Sequence, residues 1–134
     1  MDRLLDGARF GPLYLRQFAI ADMVADAIRG GSDVVGHYRV HAFVVMPKHV
    51  HLLATPAVAL SRLTKSLKGL TGRRANAMLA RTGTPFWQEE SYDHQVRNDQ
   101  EFEQIRCYIE GNPVQAGLVT DLEEYRWSSA GSPR

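Results

Sequence analysis

The first half of the chain shows two different periods of apolar and polar positions. Residues 19–29 carry apolar side chains at helical spacing and end at Gly30-Gly31, which predicts an amphipathic helix. Residues 38–45 are rich in aromatic and β-branched side chains and alternate along their length, which predicts a strand. The alternation resumes at residues 49–54, after Pro47-Lys48. The two strands are therefore expected to pair as a hairpin through a tight turn.

Weaker patterns flank this hairpin. Residues 1–9 predict a short helix. Four leucines at helical spacing within residues 60–70 predict a basic amphipathic helix. Gly69 and Gly72 could interrupt it, because each glycine weakens a helix by roughly 1 kcal/mol relative to alanine. Residues 92–96 predict a further strand.

Capping residues mark the start of a last helix. Asn98 followed by Glu101 resembles a capping box, in which both side chains satisfy free backbone N–H groups at the helix start. Gly111 and Pro113 predict that this helix ends near Asn112.

Composition sets bounds on the class of protein. The 134 residues fit a single domain spanning 1–134. No apolar run approaches the roughly 18 residues that span a bilayer, and the N-terminus lacks the order of a signal peptide. No membrane partner and a cytoplasmic location are therefore expected. The lone Cys107 excludes an internal disulfide and a cysteine-based zinc site.

The charges are unevenly distributed, although the formal net charge is only +1. Between Val34 and Gln88 there is no Asp or Glu, but there are eight cations: Arg39, Lys48, Arg62, Lys65, Lys68, Arg73, Arg74 and Arg81. A basic centre suits a polyanionic partner, because each phosphate that is neutralised releases condensed counterions. A solvated helix face would give the same pattern, so charge alone leaves both interpretations open.

Two histidines in the second predicted strand are candidate metal ligands. Side chains alternate along a strand, so His49 and His51 project from one face, roughly 6 to 7 Å apart and within reach of one ion. Taken alone, the pair is a weak signal. Two hydrogen-bonded histidines on a half-exposed sheet would give the same sequence.

Four ordered blocks carry a more specific signal. They are HAFVVMPKHVHLL at 41–53, FWQEESYDH at 86–94, YIEGNPVQAGLV at 108–119 and YRWSS at 125–129. In this order they resemble the histidine segment, the aromatic stretch, the tyrosine motif and the closing motif of one family. The family is that of the REP-associated tyrosine transposases and related single-tyrosine HUH transposases of the IS200-like type. The resemblance covers residues 37–130.

This resemblance implies a fold and a chemistry. The fold would be α+β, the ferredoxin-like HUH nuclease fold, with an antiparallel sheet that carries the histidines and helices packed on one face. His49 and His51 would bind a divalent ion, Mg²⁺ or Mn²⁺, and Tyr108 would attack a phosphodiester of single-stranded DNA to give a 5′-phosphotyrosine. A phenol is a weak nucleophile at neutral pH, so it needs a phosphate from which a metal withdraws charge. The covalent intermediate keeps the energy of the broken bond, so one site can cleave and rejoin DNA.

The resemblance also suggests supporting residues. Two imidazoles do not complete the coordination of Mg²⁺ or Mn²⁺. Asn112, four residues after Tyr108 and on the same helix face, is expected as the third ligand, although an Asn before Pro is also a common helix terminator. Single-stranded or hairpin DNA is the expected partner. Its backbone would be held by the cations of the basic helix: Arg62, Lys65, Lys68, Arg73 and Arg74.

Two aromatic residues have open alternatives. Trp87 could stack on an unpaired base, and a core tryptophan is equally compatible with its position. His94 could position the phosphate or the tyrosine, or make a structural hydrogen bond.

Two features depart from the family pattern. Lys48 stands where relatives usually have Asn before the first histidine, and residues 1–9 do not resemble the strand with which relatives open. A missing central strand would leave an unpaired sheet edge, which a partner chain in a homodimer could cover. A noncatalytic nucleic-acid-binding remnant is therefore the alternative to an active transposase. A third hypothesis is an unrelated metal hydrolase that uses the histidine pair with water as nucleophile.

Overall fold

The computed structural model describes residues 2–6, 18–81, 83, 85–87 and 92–131. The strands within these ranges are β1 (Arg3–Asp6), β2 (Tyr38–Val45), β3 (Val50–Pro56) and β4 (Tyr92–Gln95). The helices are α1 (Phe18–Gly30), α2 (Leu60–Met78) and α3 (Asp99–Gln115), with a π-helical turn at Gly31–Val35 and a 3₁₀ turn at Leu122–Glu124. None of the helices in these ranges combines the length and hydropathy needed to cross a membrane.

The strands form one antiparallel sheet in the order β2-β3-β1-β4. The prediction of a helix over residues 1–9 and of an absent first strand is therefore wrong for residues 3–6, which pair with β3 on one side and β4 on the other. Two neighbouring strands supply ladder hydrogen bonds to this short segment, and this tertiary context outweighs its local preference. The other residues of 1–9, apart from Asp2, lie outside the described ranges.

The predicted hairpin between β2 and β3 is confirmed. Val45 pairs with Val50, and the N–H of Met46 donates to the carbonyl oxygen of His49 at 2.8 Å, so Pro47-Lys48 forms the turn. The simple alternation predicted for β2 is interrupted by a β-bulge between Val40 and Ala42. A bulge adds one residue to one strand, so side chains beyond it lie on the opposite face from the one that alternation predicts.

Each face of the sheet carries its own part of the core. On one face, Ile28 of α1 and Leu63 of α2 belong to a buried cluster with Phe43 of β2. On the other face, Ile109 of α3 belongs to a second cluster with Val44. The predicted fold class, α+β with an antiparallel sheet, is confirmed. The prediction that the helices lie on one face holds for α1 and α2 but is wrong for α3.

The reason for this arrangement lies in the strand β2. From Ala42 to Val45 every residue is buried, so both faces of the strand are apolar. A strand that is apolar on both faces needs a covering layer on each side. Helices α1 and α2 supply one layer, and α3 supplies the other.

Helix α2 runs without a break through Gly69 and Gly72. A Cβ atom at Gly72 would lie 3.5 Å from Cδ1 of Trp87, so the indole packs closely on the helix at this point. The indole N–H of Trp87 donates to the Thr71 hydroxyl at 2.8 Å. These contacts offset the low helix propensity of glycine, and the break that the two glycines made possible does not occur.

Helix α3 begins as predicted and ends later than predicted. The Asn98 side chain accepts a hydrogen bond from the N–H of Glu101 at 2.9 Å, as expected for an N-cap. The helix continues past Asn112 and Pro113 to Gln115. Pro113 removes one N–H donor from the helix, but the carbonyl of Asn112 still accepts from the N–H of Ala116 at 2.9 Å.

The C-terminal segment covers the outer edge of β2. The N–H of Val45 donates to the carbonyl of Trp127 at 2.8 Å, and Ser128 forms a bridge to Val44. The Tyr125 hydroxyl donates to the carbonyl of Val45 at 2.6 Å, and burial raises the pKa of this phenol to about 12. This edge is therefore paired within the chain.

Candidate active site

The two histidines lie at the start of β3. His49 directly precedes the strand and is half-buried, whereas His51 lies within it and is 6% exposed. The centroids of their rings are 4.6 Å apart, with the ring planes at 72°. Val50, between them, belongs to the core cluster on the opposite face. The two imidazoles thus share one face of the sheet, as the alternation predicts.

Helix α3 brings Tyr108 to the same place. Ile109 is fully buried against the sheet, and this contact positions the preceding residue at the edge of the buried face. The centroid of the Tyr108 ring is 5.7 Å from that of His51, with the planes at 73°. Tyr108 is nevertheless 59% exposed. A phenol, a buried imidazole and a second imidazole therefore form a continuous row that is open to solvent at the tyrosine.

Asn112 lies one helical turn beyond Tyr108. The two residues line the same open cavity of about 830 Å³. Neither His49 nor His51 is among the described residues that line it. Because the helix continues through Pro113, Asn112 keeps its position on the face that Tyr108 occupies.

The predicted DNA-binding cations all lie on α2, away from this row. Arg62, Lys65, Arg73 and Arg74 are exposed, and Lys68 is half-buried. Burial lowers the pKa of Lys68. Helix α2 covers the face of the sheet opposite to α3. The structure therefore does not bring these cations together with Tyr108, whereas Lys48 lies exposed in the turn next to His49.

For Trp87 and His94 the structure shows contacts within the protein. Trp87 packs against the core cluster beneath α2 and meets Phe86 edge to face, with 5.5 Å between ring centroids. His94 of β4 brings Nε2 to 3.2 Å from the carboxylate of Glu101. These contacts favour the core and structural alternatives that the sequence left open.

The carboxylate of Glu101 ties the strand β4 to the start of α3. It accepts a hydrogen bond from the backbone N–H of Arg97 at 2.7 Å and another from the Arg97 guanidinium at 3.0 Å. These two hydrogen bonds, with a smaller contribution from His94, hold the pKa of Glu101 at about 2. The capping glutamate thus bonds to Arg97 rather than to the N-cap residue itself.

A polar network at the other end of the sheet was not predicted. Nε2 of His41 lies 2.6 Å from the hydroxyl of Thr55, which in turn donates to the carboxylate of Asp2. The ring of His41 also meets Phe102 of α3 edge to face, at 5.2 Å between centroids. This network links the residue before β1 to β2 and β3 beneath α3. Nothing near His41 in the sequence signals partners so distant along the chain.

Two solved structures have a similar fold. One is a REP-associated tyrosine transposase bound to a REP hairpin, with a TM-score of 0.69 and 18% identity over 95% of this chain and 75% of the other. The second is a protein from Deinococcus radiodurans R1 assigned as a transposase, with a TM-score of 0.50 and 25% identity over 83% of this chain and 89% of the other. The first likeness concerns the fold alone. No curated protein matches the chain at a significant level.

The family follows from the sequence itself. The profile of the family described as "Transposase IS200 like" matches residues 21–112, which is more than half of the chain. The matched range contains the histidine pair, Tyr108 and Asn112. By this match, the chain belongs to the IS200-like transposase family.

Proposed function

We propose that this chain is a metal-dependent transposase that cleaves and rejoins single-stranded DNA through a covalent bond to Tyr108. The observation that carries this proposal is the contact between the rings of Tyr108 and His51, the latter also in contact with His49. Membership of the IS200-like family supports transposition as the process. The row of three side chains supports this particular chemistry.

A divalent ion fits the donors at this site. The rings of His49 and His51 are close enough, at 4.6 Å between centroids, for each to give one nitrogen to the same ion. Among the described residues there is no group of three His, Cys, Asp or Glu that could hold a metal. We assign the next donor to the amide oxygen of Asn112 and the remainder to DNA and water, a set that suits Mg²⁺ or Mn²⁺. When bound, the ion would withdraw charge from a nonbridging phosphate oxygen.

Tyr108 performs the covalent step in this proposal. Its hydroxyl oxygen forms a bond to phosphorus while the bond from phosphorus to the 3′ oxygen breaks. The phenol proton passes to water, and the departing 3′ oxygen takes a proton from water. The products are a 5′-phosphotyrosine and a free 3′-hydroxyl. Attack by the 3′-hydroxyl of a second DNA end reverses these steps and joins the strands without ATP.

The substrate we propose is single-stranded DNA next to a hairpin. The REP-associated transposase of similar fold is bound to a REP hairpin. The exposed cations of α2 offer a surface for the phosphates of such a hairpin. The presence of β1 in the centre of the sheet also removes the observation that favoured a noncatalytic remnant.

The test is an adduct assay with labels at either DNA end. A hairpin-bearing oligonucleotide labelled at its 3′ end, incubated with the protein and Mn²⁺ or Mg²⁺, should migrate with the protein in a denaturing gel. The same oligonucleotide labelled at its 5′ end should release a free fragment. Tyr108→Phe should form no adduct and release no fragment. Absence of an adduct with wild type, or its persistence in Tyr108→Phe, would contradict the mechanism, and cleavage without an adduct in Tyr108→Phe would favour the metal hydrolase.

A further inference from the structure

Tyr108 and Asn112, which the proposed chemistry uses, also line a cavity whose remaining residues have no role in that chemistry. The cavity lies between the C-terminal half of α3 and the segment 120–123, with a volume of about 830 Å³. This volume lies in the range of roughly 300–1,000 Å³ that is typical of sites for small organic groups. Tyr108 lines the cavity, and the same ring contacts His51. Tyr108 is therefore shared by the row of histidines and the cavity.

The side of this cavity that the segment 120–123 forms is unsuited to phosphate. The acids Asp121 and Glu123 line it, and no Lys or Arg occurs among the described lining residues. A phosphate would be repelled by these carboxylates. An uncharged group is thus the occupant that fits the charge on this side of the cavity.

The remaining lining groups match the chemistry of a nucleobase. Gln104 and Gln115 present side-chain amides, which both donate and accept hydrogen bonds. Val114 and Leu122 add apolar surface. A nucleobase offers donors and acceptors on its edge and flat apolar faces, so it can use both kinds of group.

The direction of attack decides which base lies there. In a displacement at phosphorus the attacking and leaving oxygens are roughly in line, so the departing 3′ oxygen points away from Tyr108. The nucleotide upstream of the cut therefore leaves on the side away from Tyr108. The downstream nucleotide stays bound to the phosphotyrosine, next to the cavity that Tyr108 lines.

We propose that this cavity binds the unpaired base directly 3′ of the cleavage site. This inference rests on the proposed function, since it takes Tyr108 as the nucleophile. The bound base would contribute to the choice of cleavage site. It would also hold the covalently attached strand in place until the second DNA end arrives.

Gly111 provides a way to fill the cavity without disturbing the core. It lines the cavity, and a Cβ atom built on it meets no other atom within 4 Å. A leucine at this position can therefore extend into the space intended for the base. Gly111→Ala is the matched variant, because it makes the same backbone change with a side chain too small to fill the cavity. Both substitutions raise helix propensity, so both proteins should fold.

The first experiment measures DNA binding in the absence of cleavage. The Tyr108→Phe protein in EDTA is titrated into hairpin oligonucleotides that carry one abasic site at each single-stranded position in turn, and binding is followed by fluorescence anisotropy. One abasic position should weaken binding roughly 5- to 150-fold, as expected for loss of one stacked base. This loss should vanish when Gly111→Leu is added and largely remain with Gly111→Ala. If no position is sensitive, or if Gly111→Leu leaves the sensitivity unchanged, the proposal is wrong.

The second experiment locates the sensitive position relative to the cut. Wild-type cleavage in the adduct assay should map to the bond on the 5′ side of that base, and a sensitive base elsewhere would overturn the assignment. Failure of the adduct assay is distinguishable from failure of the cavity. If the adduct assay fails, a loss of DNA affinity at one abasic position that Gly111→Leu abolishes would still show that the cavity binds a base. The assignment of that base to the position next to the scissile bond would then be wrong, together with the proposed function.

The third experiment tests the amide groups. Gln104→Ala and Gln115→Ala should each reduce the preference among the four bases at the sensitive position by roughly fivefold, as expected for loss of one hydrogen bond. Gln100→Ala is the control, because Gln100 is exposed in the first turn of α3 and does not line the cavity. Equal base preference in all three variants and wild type would show that the amides do not read the base.

Discussion

His49 and His51 differ in burial, and under the proposed function this difference would give them different parts in holding an ion. His51 is buried beneath the ring of Tyr108, so its orientation is fixed by packing. His49 is half-buried at the end of the hairpin turn, beside the exposed Lys48. A ligand held by its surroundings positions the ion, and the more accessible ligand lies where the ion and DNA would enter.

We expect His49→Ala and His51→Ala each to weaken Mn²⁺ binding by more than tenfold. Each variant removes one of only two imidazole donors, and even loss of an outer partner of a ligand costs about 10- to 100-fold in affinity. Free Mn²⁺ can be measured by electron paramagnetic resonance during titration of the protein. His37→Ala serves as the control, because His37 lies outside the site, before β2. Equal affinity in all three variants would rule out the histidine pair as the site.

Asn112 can be tested with one variant that lacks the oxygen donor and one of similar size that keeps an oxygen donor. Asn112→Ala should weaken Mn²⁺ binding, because it removes an oxygen donor. Asn112→Asp should retain or strengthen binding, because a carboxylate oxygen is a preferred ligand of such ions. The same titration measures both. Wild-type affinity in Asn112→Ala would show that this residue acts only in the helix.

At the scale of residues, the sequence predicted the groups that share a short motif and missed those that meet through the fold. His49 and His51 follow from alternation within one strand. Tyr108 followed only from the resemblance, because nothing in its own helix pattern distinguishes it from a half-buried core tyrosine. Thr55 lies in β3 and Asp2 directly precedes β1, so no local pattern contains these partners of His41.

The connection between α1 and β2 depends on a close approach at Gly31. A Cβ atom there would lie 2.7 Å from ring carbons of Tyr38. Tyr38 is buried, and its hydroxyl donates to the carbonyl of Ile28 at 2.6 Å. The ring of Tyr38 thus packs against the π-helical turn at Gly31, where any side chain would displace the ring.

Gly31→Ala should therefore lower the free energy of unfolding by about 1–3 kcal/mol, the usual cost of overpacking a buried site. Urea denaturation measures this change. Gly30→Ala is a matched control one residue away, because a Cβ atom at Gly30 meets no other atom within 4 Å. If the two variants are equally stable, Tyr38 moves aside at little cost.

The junction between β4 and α3 should weaken in acid. The pKa of Glu101 is held at about 2, below its usual value of 4.5, so the carboxylate stabilises the folded state fully above the usual value. That contribution is lost as the pH falls from about 4.5 towards 2. The free energy of unfolding, measured by denaturant titration across this range, should fall more steeply for wild type than for Glu101→Gln. Parallel curves would show that Glu101 does not contribute.

At the scale of elements, the sequence predicted those with a strong periodic pattern and did not predict the short ones. The limits of β2 and the start of α3 match their predictions, because a run of β-branched and aromatic residues and an N-cap residue are local signals. Strand β1 has four residues and shows no alternation, so its conformation comes from β3 and β4. Helix α2 continues through Gly72 because Trp87, distant in sequence, packs there.

The whole molecule separates its basic helix from Tyr108, the proposed nucleophile. The exposed cations of α2 lie on one side of the sheet, and Tyr108 lies on the other with α3. A DNA molecule that contacts both must pass around the sheet. The sequence could not predict this separation. It led to the expectation that all helices share one face of the sheet, and in that arrangement the basic helix would lie beside the tyrosine motif.

This separation predicts that the α2 cations and Lys48 affect different steps. With Arg73→Gln and Arg74→Gln combined, the slope of log affinity against log salt for hairpin DNA should become shallower by about 0.7–0.9 for each phosphate that the protein no longer neutralises. Cleavage at saturating DNA should continue at the wild-type rate, because these residues hold DNA at a distance from Tyr108. Lys48→Ala should instead lower the saturated rate, since Lys48 adjoins His49 in the hairpin turn. A lower saturated rate in the double variant would mean that the DNA path brings the α2 cations to the scissile phosphate, and the two faces would then act as one site.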